Sequence, residues 1–178
     1  MKTNSIGIII ALVLTTIFSV NVIAQDDAKV KQVRKVEAYS SIDVSAVASI
    51  YFTQGDEYSL QIEGKEKFVK NTTTTVKNGK LIIDRQDKKV GRRGSNNGVV
   101  ILLTAPVLKE VKFSGVGSFN CETPLKLQDF NLLVEGVGNA KITDLTCRSL
   151  VVRLDGVGSA DVNAHCEQLR VNLNGVGQ

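Results

Sequence analysis

Between residue 109 and the C-terminus apolar residues occupy every second position, and the alternation is punctuated by the tripeptide Gly-Val-Gly. It stands at 115–117, 136–138, 156–158 and 175–177, at steps of 21, 20 and 19 residues. Two positions before its first glycine come Phe113, Val134, Leu154 and Leu173; four before come Val111, Leu132, Val152 and Val171. Four positions beyond that glycine come Phe119, Ala140 and Ala160, and six beyond come Cys121, Ile142 and Val162. The intervening places are mostly polar: Ser114, Glu135, Asp155 and Asn174 just ahead of the tripeptide, Asn120, Lys141 and Asp161 after it. A period of two means strands with one buried face. Each repeat therefore predicts a strand, a Gly-Val-Gly corner, a second strand and a second corner. So short a unit cannot bury its apolar face alone, whereas stacked copies do, with equivalent residues in ladders ~4.8 Å apart. The expected fold is all-β, a two-layered parallel β-solenoid built from ~20-residue Gly-Val-Gly repeats. A leucine-rich repeat has a similar period, but its Leu-x-x-Leu-x-Leu spacing is missing, and a β-sandwich needs no near-identical corners.

The register carries into the N-terminal half. Residues 42–52 align position for position with 111–121, with Ser45-Ala46-Val47-Ala48 where Ser114-Gly115-Val116-Gly117 stands later. This predicts a degenerate first copy whose corner tolerates alanine. Elsewhere Tyr58 to Ile62 alternates as a strand, and Thr72 to Thr75 favours extended chain. Val76 to Ile83 reads as a hairpin around Asn78-Gly79. Lys65 to Lys70 suits one helical turn, and Val99 to Thr104 a strand ended by Ala105-Pro106.

The first 24 residues read as a secretory leader: Lys2, an apolar run from Ile6 to Val20, then Val22-Ile23-Ala24 before Gln25. The run is shorter than the ~20 residues a spanning helix needs, and no cysteine near Gln25 would take a lipid. The expected organisation is a leader (1–24) and one domain (25–178), exported to the periplasm, the outer-membrane surface or the medium. Cleavage leaves a net charge of +3, where the full chain has +4. With no Trp, three Tyr and six Phe, neither a basic face nor a base-stacking platform for nucleic acid is expected.

Several motifs in order resemble the head GIN domain family, to which an auto-transporter adhesin role is ascribed. They are Ile42-Asp43-Val44, Phe52-Thr53-Gln54-Gly55-Asp56 leading into Tyr58-Ser59-Leu60-Gln61-Ile62, Asn78-Gly79-Lys80-Leu81-Ile82-Ile83, Leu103-Thr104-Ala105-Pro106-Val107-Leu108, and Ser114-Gly115-Val116-Gly117 with its echoes. The resemblance covers roughly Val33 to the C-terminus. It implies a right-handed parallel β-helix, no established catalytic residues and a role in cell adhesion. Members of the family usually carry more repeats, whereas this chain stops in mid-corner at Gly175-Val176-Gly177-Gln178. Truncation, or a partner over that end, is the expectation, and with it self-association through an uncapped C-terminal repeat.

Candidate chemistry is sparse. Cys147 and Cys166 fall at one ladder position with Leu127, which allows either a disulfide or two small core residues. Cys121 belongs to the ladder of Ile142 and Val162 and is expected in the core. Three cysteines without a CxxC pair support neither a disulfide framework nor a zinc site. His165, the one histidine, sits beside Cys166, but adjacent residues on a strand face opposite sides, so no Cys-His pair is expected. Glu135 and Asp155 share an outward ladder. Two such carboxylates could serve glycoside hydrolysis or hold Ca²⁺, yet Lys112 and Arg153 stand next to them and no cleft is evident. Residues 85–98 form a basic loop in which Arg92 and Arg93 could grip the phosphate or carboxylate of an anionic glycan. Gly91-Arg92-Arg93-Gly94 lacks a Walker lysine-hydroxyl pair. The tentative ligand-binding residues are thus Arg92, Arg93, Glu135 and Asp155, with no catalytic residue, cofactor or metal expected. The function expected is a non-catalytic envelope or surface protein that contacts a glycan or another surface polymer. A carbohydrate-active lyase or hydrolase using Glu135 and Asp155 is the alternative.

Overall fold

The computed structural model describes residues 28–87 and 98–177. The expected leader, and Arg92 and Arg93, lie outside the described residues. The elements in order are β1 (Lys29–Arg34), β2 (Ser41–Val44), β3 (Val47–Gln54), β4 (Ser59–Lys65), α1 (Glu66–Asn71), β5 (Thr72–Lys77), β6 (Lys80–Arg85), β7 (Val99–Ala105), β8 (Glu110–Phe113), β9 (Val116–Cys121), β10 (Leu125–Lys126), β11 (Asp129–Val134), β12 (Val137–Leu154), β13 (Val157–Leu173) and β14 (Val176–Gly177). All strands belong to one 14-stranded sheet that curls back on itself. The fold is all-β apart from α1.

The curl is visible in β12. Its residues 137–142 pair in parallel with β9, and its residues 149–154 pair in parallel with β11. The pairing with β13 shifts register between Ile142 and Leu145, where the strand bends over. The second corner expected from the repeat is thus absorbed into continuous strands. Two faces result. One, the β8 face, carries β6, β2, β8, β11 and the second halves of β12 and β13. The other, the β9 face, carries β7, β3, β9, the first halves of β12 and β13, and β14. A rung is one strand segment from each face, joined through a corner.

The columns anticipated from the repeat are real register columns. Val44, Phe113, Val134, Leu154 and Leu173 pair successively, as do Ala140 with Phe119 and Ala160. Between the faces lies one core that includes Ile42, Ile50, Phe52, Ile101, Phe113, Phe119 and Phe130, each at most 2% exposed. The Phe52 and Phe119 rings stack at 6.3 Å. Fully burying side chains of this kind contributes roughly 1.5–3 kcal/mol each.

The corners explain their own composition. A Cβ on Gly136 would run into the carbonyl oxygen of Gly115, and one on Gly156 into that of Gly136. Each corner glycine therefore faces the preceding rung at backbone-contact distance. In the first copy Ala46 and Ala48 stand at these places, each fully buried.

Outside the repeat, the ladder is not purely parallel. β4 adds antiparallel to β7, β1 antiparallel to β4, and β5 antiparallel to β6. These strands extend beyond the first rung and cover its edges, which would otherwise invite foreign strands. β5 and β6 form the expected hairpin, with Asn78 and Gly79 both at positive φ as a type I′ turn requires. The helical turn expected at Lys65–Lys70 is α1, which buries Phe68 and Val69. Arg34 donates to the carbonyls of Val69 (2.8 Å) and Thr72 (2.7 Å), satisfying acceptors at the end of α1.

Candidate functional site

The outward positions of the two faces differ in chemistry. On the β8 face they include a series of ion pairs. Lys80 meets Glu110 at 2.9 Å, Lys112 meets Glu135 at 3.0 Å, and Arg153 meets Asp155 at 3.4 Å. Arg148 forks onto both oxygens of Asp129, the longer contact being 2.7 Å. Asn174 donates to Asp155 at 3.0 Å. The Lys112 ammonium is held above its ordinary pKa, first by its hydrogen bond to Glu135 and then by that carboxylate's charge. These groups are all partly exposed, so each pair is worth less than ~1 kcal/mol.

Glu135 and Asp155 do lie on adjacent rungs, but each is engaged by its own cation and both stand at an open corner. Among the described residues no three His, Cys, Asp or Glu side chains cluster as a metal site would need.

The β9 face has a different surface. The central valines of the corners form one register column, Val47, Val116, Val137, Val157 and Val176. Its last four members are 48%, 53%, 51% and 73% exposed, so the most repeated apolar residue of the sequence points to solvent. The next outward column is Val100, Ser49, Ser118, Asn139 and Ser159; the one after it is Leu102, Tyr51, Asn120, Lys141 and Asp161. Val100, Leu102 and Tyr51 are each about 40% exposed. Side-chain hydrogen bonds hold the polar members still. Asn120 donates to Ser118 Oγ at 2.8 Å and to the Ile50 carbonyl at 3.2 Å, and Ser159 Oγ lies 3.0 Å from Asn139 Oδ1. Little in the spacing of the sequence marks this face as special. Its signal is only that the corner valines and the Ser or Asn two places beyond them lack charge.

A recess of about 600 Å³, unanticipated from the sequence, opens at the second corner. It is bounded by Val107, Leu108 and Leu127 and edged by Lys109, Lys126 and Asn131. It exists because β8 and β11 pair only from Glu110 and Asn131 onward, so the chain before them separates. Gln54 bridges part of the gap. Its side-chain amide donates to the Lys126 carbonyl (3.0 Å) and accepts from the Lys126 N–H (2.8 Å), standing in for a strand.

Cys121 is fully buried opposite Ile142, as expected. Cys147 and Cys166 are register partners, and His165 is exposed.

The family model described as "Putative auto-transporter adhesin, head GIN domain" matches residues 38–178. A crystal structure described as a putative adhesin from Bacteroides fragilis is similar at a TM-score of 0.57 and 20% identity, over 84% of this chain and 95% of that one. One described as a putative lipid binding protein from Parabacteroides distasonis is similar at a TM-score of 0.59 and 19% identity, over 80% of this chain and 59% of that one. At these identities the likeness is one of fold. No curated protein matches the sequence.

Proposed function

The chain belongs to the head GIN domain family, and from that premise we propose that it is a non-catalytic adhesin of the cell surface whose β9 face contacts a glycan. The observation that carries this reading is the contrast in outward chemistry. The β8 face carries a series of ion pairs, whereas the β9 face leaves Tyr51, Leu102, Val100 and the valine column exposed beside ordered Ser and Asn side chains. Aromatic and aliphatic groups suit the C–H faces of sugars, and fixed amides and hydroxyls suit their hydroxyl groups. Repetition at the strand spacing gives a polymer many weak contacts at once. The in-register parallel pairing of successive rungs supports the further reading that the repeat winds as a right-handed parallel β-helix. Residues 1–24 would act as the export leader. Acidic sugars along such a polymer would meet Lys109 and Lys126 at the recess.

The test is retention on insoluble neutral β-glucan and on polygalacturonate, with product analysis of the latter. Wild-type protein is expected to be retained on the neutral polymer, and the double variant Tyr51→Ala/Leu102→Ala to lose at least tenfold in retention with its fold intact. Undiminished retention of that variant removes the β9 face from the proposal. Unsaturated products that vanish in Asp155→Asn would replace adhesion by a lyase activity.

A further inference from the structure

Cys147 and Cys166 stand opposite each other on neighbouring rungs, and the proposed adhesive role makes no use of them. Both thiols are free. In-register neighbours of a sheet lie ~4.8 Å apart, within the span over which a disulfide joins two Cα atoms. The two side chains turn to the same interior, Cys147 within the core cluster and Cys166 packed against it. Their exposures differ. Cys147 is 6% exposed, while Cys166 is half-buried and lines an apolar recess of about 220 Å³ with Ala164, Leu169 and Val171. Burial, followed by the neighbouring Cys166, raises the pKa of the Cys147 thiol. Cys121 has no thiol partner, being fully buried with its Sγ directed at the Thr123 carbonyl.

We propose that Cys147 and Cys166 form an oxidisable pair that closes into a disulfide by exchange with an external disulfide, either a small-molecule one or that of a protein thiol oxidoreductase. The Cys166 thiolate, the more accessible of the two, attacks one sulfur of the oxidant and expels the other as a thiolate, leaving a mixed disulfide on Cys166. Cys147 then loses its proton and attacks Cys166 Sγ, and the second oxidant sulfur leaves. Two protein thiols have given up two protons and two electrons, and one oxidant disulfide has become two thiols. Parallel neighbours carry their Cβ atoms at about the strand spacing, wider than the ~3.8 Å a relaxed disulfide favours. The bond is therefore strained and readily reduced. It acts as a reversible clip between the second half of β12 and the second half of β13.

The experiment treats the purified reduced chain with oxidised glutathione under native conditions and counts thiols. The expected result is a fall from three thiols to one, a mass loss of ~2 Da, and a non-reduced peptide map joining Cys147 to Cys166 within one chain. In Cys147→Ser a glutathione adduct should accumulate on Cys166, at least tenfold faster than on Cys147 in Cys166→Ser. Retention of all three thiols in the wild-type protein overturns the proposal, as does a map that joins Cys166 between two chains. The wild-type map requires no variant to fold, so it decides the matter even where a serine variant misfolds.

Discussion

The β8 and β9 faces are made from the same repeats, a corner apart, yet they present opposite surfaces. On the β8 face the outward places hold Lys80, Glu110, Lys112, Glu135, Arg153 and Asp155, and each of these charges has found a partner of opposite sign. On the β9 face the corner valines and the places just beyond them hold Val116, Ser118, Val137, Asn139, Val157 and Ser159, none of them charged, and charge enters only further along, at Lys141 and Asp161. Burial dictates the inward residues on both faces, so it cannot explain the difference. The outward residues are unconstrained by packing, and there the two faces diverge: one is rich in ion pairs, the other keeps apolar groups and ordered amides facing solvent.

The largest effect expected from substitution tests what the two faces share. Gly156→Ala would push a methyl group into the Gly136 carbonyl and is expected to cost about 3 kcal/mol or more, disrupting both faces together. Ala46→Gly, at the equivalent corner place where a Cβ is already accommodated, is expected to cost no more than about 1 kcal/mol. Urea unfolding of the pair measures this, and equal midpoints would contradict the close stacking of the corners. Next in size is Val116→Lys/Val137→Lys, which places two charges on the β9 face. It should reduce retention on neutral β-glucan about tenfold while changing stability by less than about 0.5 kcal/mol, as exposed sites do. Smaller still is Lys112→Ala on the β8 face, expected to cost at most ~0.5 kcal/mol and to leave retention unchanged. A loss of retention there would erase the distinction between the faces. The smallest effect is in alkaline titration. The folded state raises the pKa of Lys112, so its pairing with Glu135 stabilises fully below the ordinary lysine value and fades as pH rises through the raised one. Lys112→Ala should therefore converge with wild type in that alkaline window, read as thermal midpoints against pH.

Much of this arrangement was legible in the repeat. The alternation at Val111, Phe113, Phe119 and Cys121 yields the buried set, and the match of 42–52 to 111–121 places two distant segments side by side, as the pairing of Ile42 with Val111 bears out. The route of the chain at the first rung was not legible. Alternation at Tyr58–Ile62 marks β4 as a strand but carries no direction, and β4 adds antiparallel to β7. Lys112 and Arg153 were recognisable as neighbours of the carboxylates. That Lys112 reaches to Glu135 on the next rung while Arg153 turns to Asp155 on its own depends on rotamers. Gln54 was invisible as a strand substitute, because its partner Lys126 is far along the chain and the pairing answers a gap that only the folded stack creates.

The ladder also has a mechanical consequence. Hydrogen bonds between successive rungs run along the stacking direction, so a pull on that axis loads them end-on, rung by rung, instead of shearing whole strands at once. A tether of this construction yields by peeling. In the proposed adhesin each repeat of ~20 residues released would add about 68 Å of contour at ~3.4 Å per residue, letting a cell held through it give way in steps under flow before the attachment itself is lost.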